Sequence, residues 1–119
     1  MARSTKDRLK DIIQSLDDVE NLADGLSYED FQALPVRDRK TYLALSGAFT
    51  QMGEAIKTLP AEMTSRHEHI RWAGIAGMRD VLVHHYHRVE IDIIWDTVSG
   101  DDLIVLRVAI ETELGVIQS

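Results

Sequence analysis

The sequence predicts an all-α fold, an up-and-down bundle of four main helices with one or two extra short ones. Apolar residues recur at spacings of three and four in successive segments, as on one face of a helix. Period-two alternation is confined to residues 89–93, a stretch too short to found a sheet. With 119 residues, 45% hydrophobic and 28% charged, the chain matches one globular domain, and we expect residues 1–119 to form one.

The first helix is predicted from Ser4 to a stop near Gly25. Ser27 is expected to cap a short connecting turn, and Pro35 to open the second long helix, because a first-turn residue needs no amide donor. Pro60 should end that second helix. The apolar stripes of the two helices consist of Leu9, Ile12, Ile13, Leu16, Val19, Leu22 and Ala23 in the first, and of Tyr42, Leu45, Phe49, Met52, Ile56 and Leu59 in the second.

The third helix is predicted to begin near His69 or Ile70. Gly74 and Gly77 would each destabilise it by about 1 kcal/mol relative to Ala, so we expect them to permit close helix packing. A short helix follows, and Ser99 and Gly100 separate it from the last helix. The stripes are Trp72, Ile75, Met78, Leu82 and Tyr86 in the third helix, Ile91, Ile94, Trp95 and Val98 in the short one, and Leu103, Leu106, Ile110, Leu114 and Ile117 in the last.

Composition excludes several classes of function. The chain has no Cys, which excludes disulfides, thiolate nucleophiles and cysteine zinc sites and agrees with a reducing compartment. The charged N-terminal segment lacks an apolar signal region and no run is long enough to cross a membrane, so we expect a cytoplasmic protein without a membrane partner. The net charge of −7 argues against nucleic-acid binding by a globally basic surface, although a local basic site remains open.

All five histidines lie within a 21-residue window, from His67 to His87. Residues 66–88 contain four arginines and two acidic residues, so this window carries a net charge of +2 and the rest of the chain −9. It could concentrate a phosphate-bearing ligand, or it could be a solvated helix face. His67 and His69 together with His84, His85 and His87 suggest a zinc site, but no Cys is available and the spacing fits no strong metal motif, so we expect neither a metal nor a cofactor.

The same window contains the pattern R-x4-H-x-Y, formed by Arg79, His84 and Tyr86. Cleaving RNA without a metal requires a base for the 2′-OH proton, a cation for the charge on phosphorus, and an acid for the leaving oxygen. Arg79 can grip two phosphate oxygens, and His84 can transfer protons at neutral pH. One such pair leaves a second proton-transfer group unassigned, so a homodimer would complete the site more naturally than a monomer.

Further landmarks accompany this pattern, namely Gly53-Glu54-Ala55, Trp72, Gly77-Met78-Arg79 and Ile94-Trp95. With them the chain resembles the HepT group of HEPN-domain ribonucleases, the toxin half of HepT/MntA toxin–antitoxin pairs. The resemblance implies a HEPN-like bundle, a two-fold homodimer with its catalytic cleft between protomers, and an RNA substrate. It also implies that an MntA-like nucleotidyltransferase antitoxin attaches AMP to Tyr86 and silences the nuclease.

Several residues keep alternative interpretations. His85, His87 and Arg88 are candidate RNA-proximal groups, and Glu54 is read as a helix-surface residue rather than one that orients Arg79. The rival function is a non-catalytic helical module that binds nucleotides or a nucleotidyltransferase, with Arg79 and His84 only gripping phosphate. An acidic segment is read as a solvated face or, less favoured, as a dock for a basic antitoxin; it consists of Glu90, Asp92, Asp96, Asp101, Asp102, Glu111 and Glu113.

Overall fold

The computed structural model describes residues 3–83 and 88–118, and the side chains of these except 83, 88–90 and 118. The described residues form helices joined by turns and contain no strand, so the all-α prediction is confirmed. The helices in chain order are α1 (Thr5–Ala23), α2 (Tyr28–Arg37), α3 (Arg39–Lys57), α4 (Ala61–Ser65), α5 (Trp72–Ala76), α6 (Met78–Val83), α7 (Arg88–Ser99) and α8 (Asp102–Gln118).

Local signals define the beginnings of α1 and α2. The Ser4 hydroxyl accepts a hydrogen bond from the amide of Asp7 and caps α1. Ser27 and Asp30 form a reciprocal capping box, each side chain accepting from the other's backbone amide at 3.1 Å. Gly25 adopts a φ of 75° just beyond α1, a backbone conformation that glycine tolerates best. The predicted stop of the first helix and the cap at Ser27 are therefore confirmed.

Pro35 does not open the second long helix as predicted. It lies inside α2, which extends to Arg37 and is a helix of ten residues rather than a connecting turn. Asp38 begins α3 instead, because its carboxylate accepts from the amide of Thr41 at 3.2 Å. Pro35 is tolerated because it stands near the end of α2, where the missing amide removes a single bond of the helix.

α3 lies at the centre of the molecule and packs against α1, α2, α5 and α6. α8 packs on the far side of α1, and α7 lies between α2, α6 and α8. The predicted stripes of α1 and α3 face this core. Among the described residues, the apolar side chains that are completely enclosed are Leu9, Ile12, Leu45, Phe49, Met52, Ile94 and Leu106. Each methylene group buried in this way stabilises the fold by about 0.8 kcal/mol.

The predicted third helix is divided. A turn over residues 66–69 and a bend at Ile70 follow α4. There the His67 carbonyl accepts from the Ile70 amide and from the Trp72 indole, and α5 begins only at Trp72. α5 ends at Gly77, whose carbonyl accepts from the amides of Asp80 and Val81 and so begins α6. Gly77 thus forms the junction of two short helices rather than a packing contact within one.

The close helix contact occurs at a different glycine. A Cβ built on Gly53 of α3 would lie 2.7 Å from the carbonyl oxygen of Ala76 in α5, closer than real Cβ atoms come. At Gly74 the nearest atoms belong to the flexible Arg71 side chain, at 3.5 Å. Gly53 therefore allows α3 to approach α5, and the prediction that Gly74 and Gly77 serve this purpose is wrong.

The final two helices follow the prediction closely. Ile91 and Ile94 of α7 are buried, and Trp95 packs against Tyr28 and Phe31 of α2 with ring centroids 5.9 and 5.5 Å apart. In α8 the stripe is buried at Leu106 and Ile110 but emerges into solvent at Ile117. Within the described ranges no helix is long and apolar enough to cross a membrane.

Candidate active site

Arg79 lies in the first turn of α6, a six-residue helix anchored by two apolar side chains. Met78 and Leu82 are buried, whereas the side chains of Arg79 and Asp80 are 52% and 66% exposed. The four-residue spacing from Met78 to Leu82 puts both on one face of α6. Because that face of α6 is packed into the core, the position of the helix is fixed and the Arg79 side chain is exposed to solvent.

Two neighbouring helices hold α6. The hydroxyl of Tyr42, in α3, donates a hydrogen bond to the backbone carbonyl of Leu82. The hydroxyl of Thr97, in α7, lies 3.6 Å from the Met78 Sδ. Tyr42 and Thr97 are 4% and 5% exposed. Both ends of α6 are thus tied to the core by buried polar contacts.

The Arg79 guanidinium has one carboxylate beside it among the described side chains. Its Nη1 lies 3.3 Å from Oδ1 of Asp80, the next residue. Ion pairs between exposed side chains contribute little stability, because solvent screens them and two mobile side chains must be ordered. A phosphate that offers two oxygens can therefore replace Asp80 as the partner of this guanidinium.

The other predicted site residues cannot be placed beside Arg79. His84, His85, Tyr86 and His87 lie outside the described residues, and Arg88 begins α7 with its side chain outside them. The juxtaposition of Arg79, His84 and Tyr86 therefore stays a prediction. The described part of the motif is Arg79 together with the helix that leads to His84.

His67 belongs to an ionic cluster with Arg66 and Glu113. Its Nε2 lies 2.8 Å from Oε2 of Glu113, and the Arg66 Nη2 lies 2.6 Å from Oε1 of the same carboxylate. The hydrogen bond from Arg66 lowers the pKa of the Glu113 carboxyl; burial opposes this, and the bond with His67 reinforces it. The cluster joins the turn after α4 to α8.

Glu113 therefore departs from the interpretation of the acidic segment as a solvated face. It is 5% exposed, because it stands three residues after Ile110 and shares that residue's buried side of α8. Asp92 also has a specific role, since it accepts a hydrogen bond from the Tyr28 hydroxyl. The prediction of a solvated face is wrong for these two residues, and the spacing from Ile110 to Glu113 was the available signal.

His67 and His69 are near neighbours, with ring centroids 6.1 Å apart. The described residues contain no group of three His, Asp or Glu side chains able to share a metal ion. His67 is instead engaged by Glu113. Glu54 is exposed on α3, in agreement with its interpretation as a helix-surface residue.

Tyr42 is the residue of the site that the pattern alone missed. The sequence placed it in the apolar stripe of α3, and its ring does occupy the core. The available signal was chemical, since a buried phenol normally finds a hydrogen-bond partner. That partner is a backbone carbonyl 40 residues away, which no local pattern identifies.

Comparison with known proteins decides the family. The family model described as ribonuclease HepT-like matches residues 12–112, which include the whole R-x4-H-x-Y pattern. The chain belongs to the HepT-like ribonuclease family. The predicted membership of this family is confirmed, and with it the prediction of a ribonuclease at the level of the family.

Relatives of the HepT-like family support the same assignment. The chain is 37% identical over 101 residues to the protein named "Probable ribonuclease HepT" of Thermococcus cleftensis, covering 85% of this chain and 88% of the relative. It is 39% identical over 90 residues to a "Putative RNase" of Caldanaerobacter subterraneus subsp. tengcongensis, covering 76% and 77%. A "Putative RNase" of Methanocaldococcus jannaschii is 32% identical over 90 residues, covering 76% and 71%. No solved structure matches the chain significantly.

Proposed function

We propose that this HepT-like protein is a metal-independent RNA endonuclease, the toxin of a toxin–antitoxin pair acting in the cytoplasm. The observation that carries the proposal is the family match over residues 12–112, which contains Arg79 and His84 in the R-x4-H-x-Y pattern. Arg79 supports it further, because its guanidinium is exposed on a helix that the core holds in place. RNA is the substrate class.

In the proposed reaction His84 removes the proton of a ribose 2′-OH, and the 2′ oxygen attacks the adjacent phosphorus. The bond from phosphorus to the 5′ oxygen breaks, and a second acid protonates that oxygen as it leaves. Arg79 binds the non-bridging oxygens and stabilises their increasing negative charge. The products are a 2′,3′-cyclic phosphate and a 5′-hydroxyl, and no water or metal is consumed in this step.

The second acid is proposed to come from another copy of the chain. A homodimer with a two-fold axis beside the motif brings two histidines and two arginines to one cleft. One His84 then serves as the base and the partner's His84 as the acid. His85, His87 and Arg88 are proposed to lie near the bound RNA, since they adjoin the motif in the sequence.

Tyr86 is proposed to be the control point. An MntA-like nucleotidyltransferase antitoxin would transfer AMP from ATP to the Tyr86 hydroxyl, forming a phosphodiester bond and releasing pyrophosphate. The added phosphate would be a negatively charged competitor for Arg79, seven residues earlier in the motif. The nuclease would be silent for as long as that bond persists.

The proposal is tested by incubating purified protein with total RNA in EDTA, beside His84→Ala, after mass spectrometry has shown Tyr86 to be unmodified. We expect the native protein to cut the RNA and to leave cyclic phosphate ends, and His84→Ala to leave the RNA intact. Intact RNA with both proteins would refute the nuclease. Fragments ending in a 3′-hydroxyl would refute the attack by the 2′-OH.

A further inference from the structure

A second basic segment lies far from the motif in the sequence. Between Phe31 and Gly53 the sole acidic residue is Asp38, against Arg37, Arg39 and Lys40, so this segment carries +2. Residues 66–88 also carry +2, and the total of −7 leaves −11 for the rest of the chain. Residues 1–10, with four basic residues against Asp7, carry +3, and the remainder of the chain carries −14. The two segments are thus net positive, as is the N-terminal stretch, in a protein that is otherwise strongly acidic.

The fold brings the two basic segments together. Near the beginning of α3, Tyr42 bonds to the Leu82 carbonyl at the end of α6. Near the end of α3, Gly53 meets Ala76 at the end of α5. α3 therefore runs antiparallel to the α5–α6 segment, with its basic N-terminal end beside the end of α6.

Arg37, Arg39 and Lys40 form what we call the α3 basic patch. All three are exposed, and among the described side chains none of them forms an ion pair with a carboxylate, as is also the case for Lys6, Arg8, Lys10 and Lys57. The arginines that do form ion pairs are Arg3, Arg66, Arg71, Arg79 and Arg107. The neighbouring Asp38 is occupied, because its two oxygens accept from the Thr41 amide and, at 2.7 Å, from the Thr41 hydroxyl. The patch thus presents positive charge that no described carboxylate contacts at ion-pair distance, although the charge of Lys40 acts on Asp38 from further away.

The position of the patch relative to the motif follows from the helix geometry. Arg39 stands three residues before Tyr42, or about 4.5 Å along the axis of α3. Because α3 and α6 are antiparallel, this displacement leads toward Val83, the last described residue of α6. His84, the next residue, belongs to the motif.

From this arrangement we infer that the α3 basic patch binds the phosphate backbone of the RNA substrate, beside the bond that is cut. The inference rests on the proposed function and adds a substrate-binding surface to it. The guanidinium groups of arginine and the ammonium group of lysine bind phosphate oxygens independently of the base sequence of the RNA. The patch therefore gives an acidic protein a local surface on which RNA can lie.

An RNA ligand explains the position of the patch better than a protein ligand does. A cleaved strand continues on both sides of the scissile bond, so its flanking phosphates must cross the protein surface next to the motif. The α3 basic patch is exposed basic surface within about one helical turn of the Tyr42–Leu82 contact. Its chemistry matches the evenly spaced charges of such a strand.

The test measures binding separately from cleavage. In a His84→Ala background, the dissociation constant of a fluorescein-labelled single-stranded RNA of mixed sequence is determined by anisotropy at several salt concentrations. The patch variant carries Arg37→Gln, Arg39→Gln and Lys40→Gln. Its matched control carries Lys6→Gln, Arg8→Gln and Lys10→Gln on α1, the same change in net charge on another helix.

We expect the patch variant to bind about tenfold more weakly. Its plot of log affinity against log salt should be shallower by roughly 0.7 for each phosphate that the variant no longer neutralises. The control should bind as its parent does, and all three proteins should unfold at similar temperatures. Unchanged affinity in the patch variant would overturn the inference. Equal weakening in the control would also overturn it, because net charge alone would then explain the result.

Different results would refute the nuclease activity and the RNA-binding role of the α3 basic patch. If native protein leaves RNA intact, the nuclease is refuted, whatever the binding data show. If native protein cuts RNA but the patch variant keeps its parent's affinity, only the role of the α3 basic patch is refuted. An acidic protein partner that loses affinity for the patch variant while RNA does not would identify the patch as a protein-binding surface and overturn the RNA assignment.

Discussion

The hydroxyl of Tyr42 donates a hydrogen bond to the backbone carbonyl of Leu82 and so joins the beginning of α3 to the end of α6. The Tyr42 side chain is 4% exposed, so this hydrogen bond ties α6 to α3 inside the core. Because Leu82 stands two residues before His84, the contact holds the part of α6 that directly precedes the histidine of the motif.

Replacing Tyr42 by Phe removes this donor and keeps the ring in the core. We expect the free energy of unfolding to fall by about 1 kcal/mol, the usual contribution of one hydrogen bond. Urea denaturation measures this, and the slope of the transition should not change. Tyr28→Phe is the comparison, since its hydroxyl bonds to Asp92 on α7. RNA cleavage should fall further in Tyr42→Phe, and equal activity in both variants would contradict the role given to Tyr42.

Gly53→Ala tests the close approach of α3 and α5. The new Cβ would meet the Ala76 carbonyl oxygen, a backbone atom that cannot rotate away. We expect a loss of about 1–3 kcal/mol in unfolding free energy, as in other overpacked cores. At Gly47 in the same helix, a Cβ would meet no atom within 4 Å apart from its chain neighbours and the adjacent helix backbone, so Gly47→Ala should be stabilising by up to about 1 kcal/mol. Thermal unfolding of both variants checks the pair, and stabilisation by Gly53→Ala would contradict the contact.

Glu113→Gln removes the negative charge shared by Arg66 and His67 while keeping the shape of the side chain. Because the pKa of Glu113 is lowered in the folded protein, ionised Glu113 stabilises the fold above the carboxyl's unfolded pKa of about 4.3. That stabilisation is lost as pH falls through the folded pKa. Glu113→Gln should therefore be less stable than native protein by about 1–2 kcal/mol at neutral pH.

The pH dependence of this difference provides the check. Urea midpoints of native protein and Glu113→Gln should converge as the pH is lowered below about 4.3, because native Glu113 becomes protonated there. Glu111→Gln, an exposed carboxylate on the same helix, serves as the control and should follow native protein throughout. A constant difference between native protein and Glu113→Gln at all pH values would show that ionisation of Glu113 does not stabilise the fold.

Local patterns predicted most of the helices. The stripe from Tyr42 to Ile56 and the cap at Ser27 depend on residues three and four apart, and the structure contains both. The division of the third helix at Gly77 could not be predicted from such spacings, because apolar residues continue in phase on both sides of it. The turn at His67, which takes hydrogen bonds from Ile70 and Trp72, decides where α5 begins.

The part of the site that the sequence predicted consists of the residues of the R-x4-H-x-Y pattern. Arg79 was identified from its spacing to His84 and Tyr86, and the structure places it exposed on α6. Tyr42 and the α3 basic patch lie about 40 residues away in the sequence and reach the motif by the antiparallel packing of α3. Glu113 was misread because an acidic residue within an acidic run gives no sign of a basic partner 47 residues earlier.

Arg79 is proposed to stabilise the transition state of RNA cleavage, and the rate of a single turnover tests this role most directly. Native protein, Arg79→Ala and Arg71→Ala are compared in EDTA at saturating RNA; Arg71 is a matched exposed arginine that pairs with Asp102 at 3.7 Å. Arg79→Ala should cleave about 10²–10³-fold more slowly, while Arg71→Ala stays close to native protein. A rate for Arg79→Ala equal to that of native protein would contradict the account.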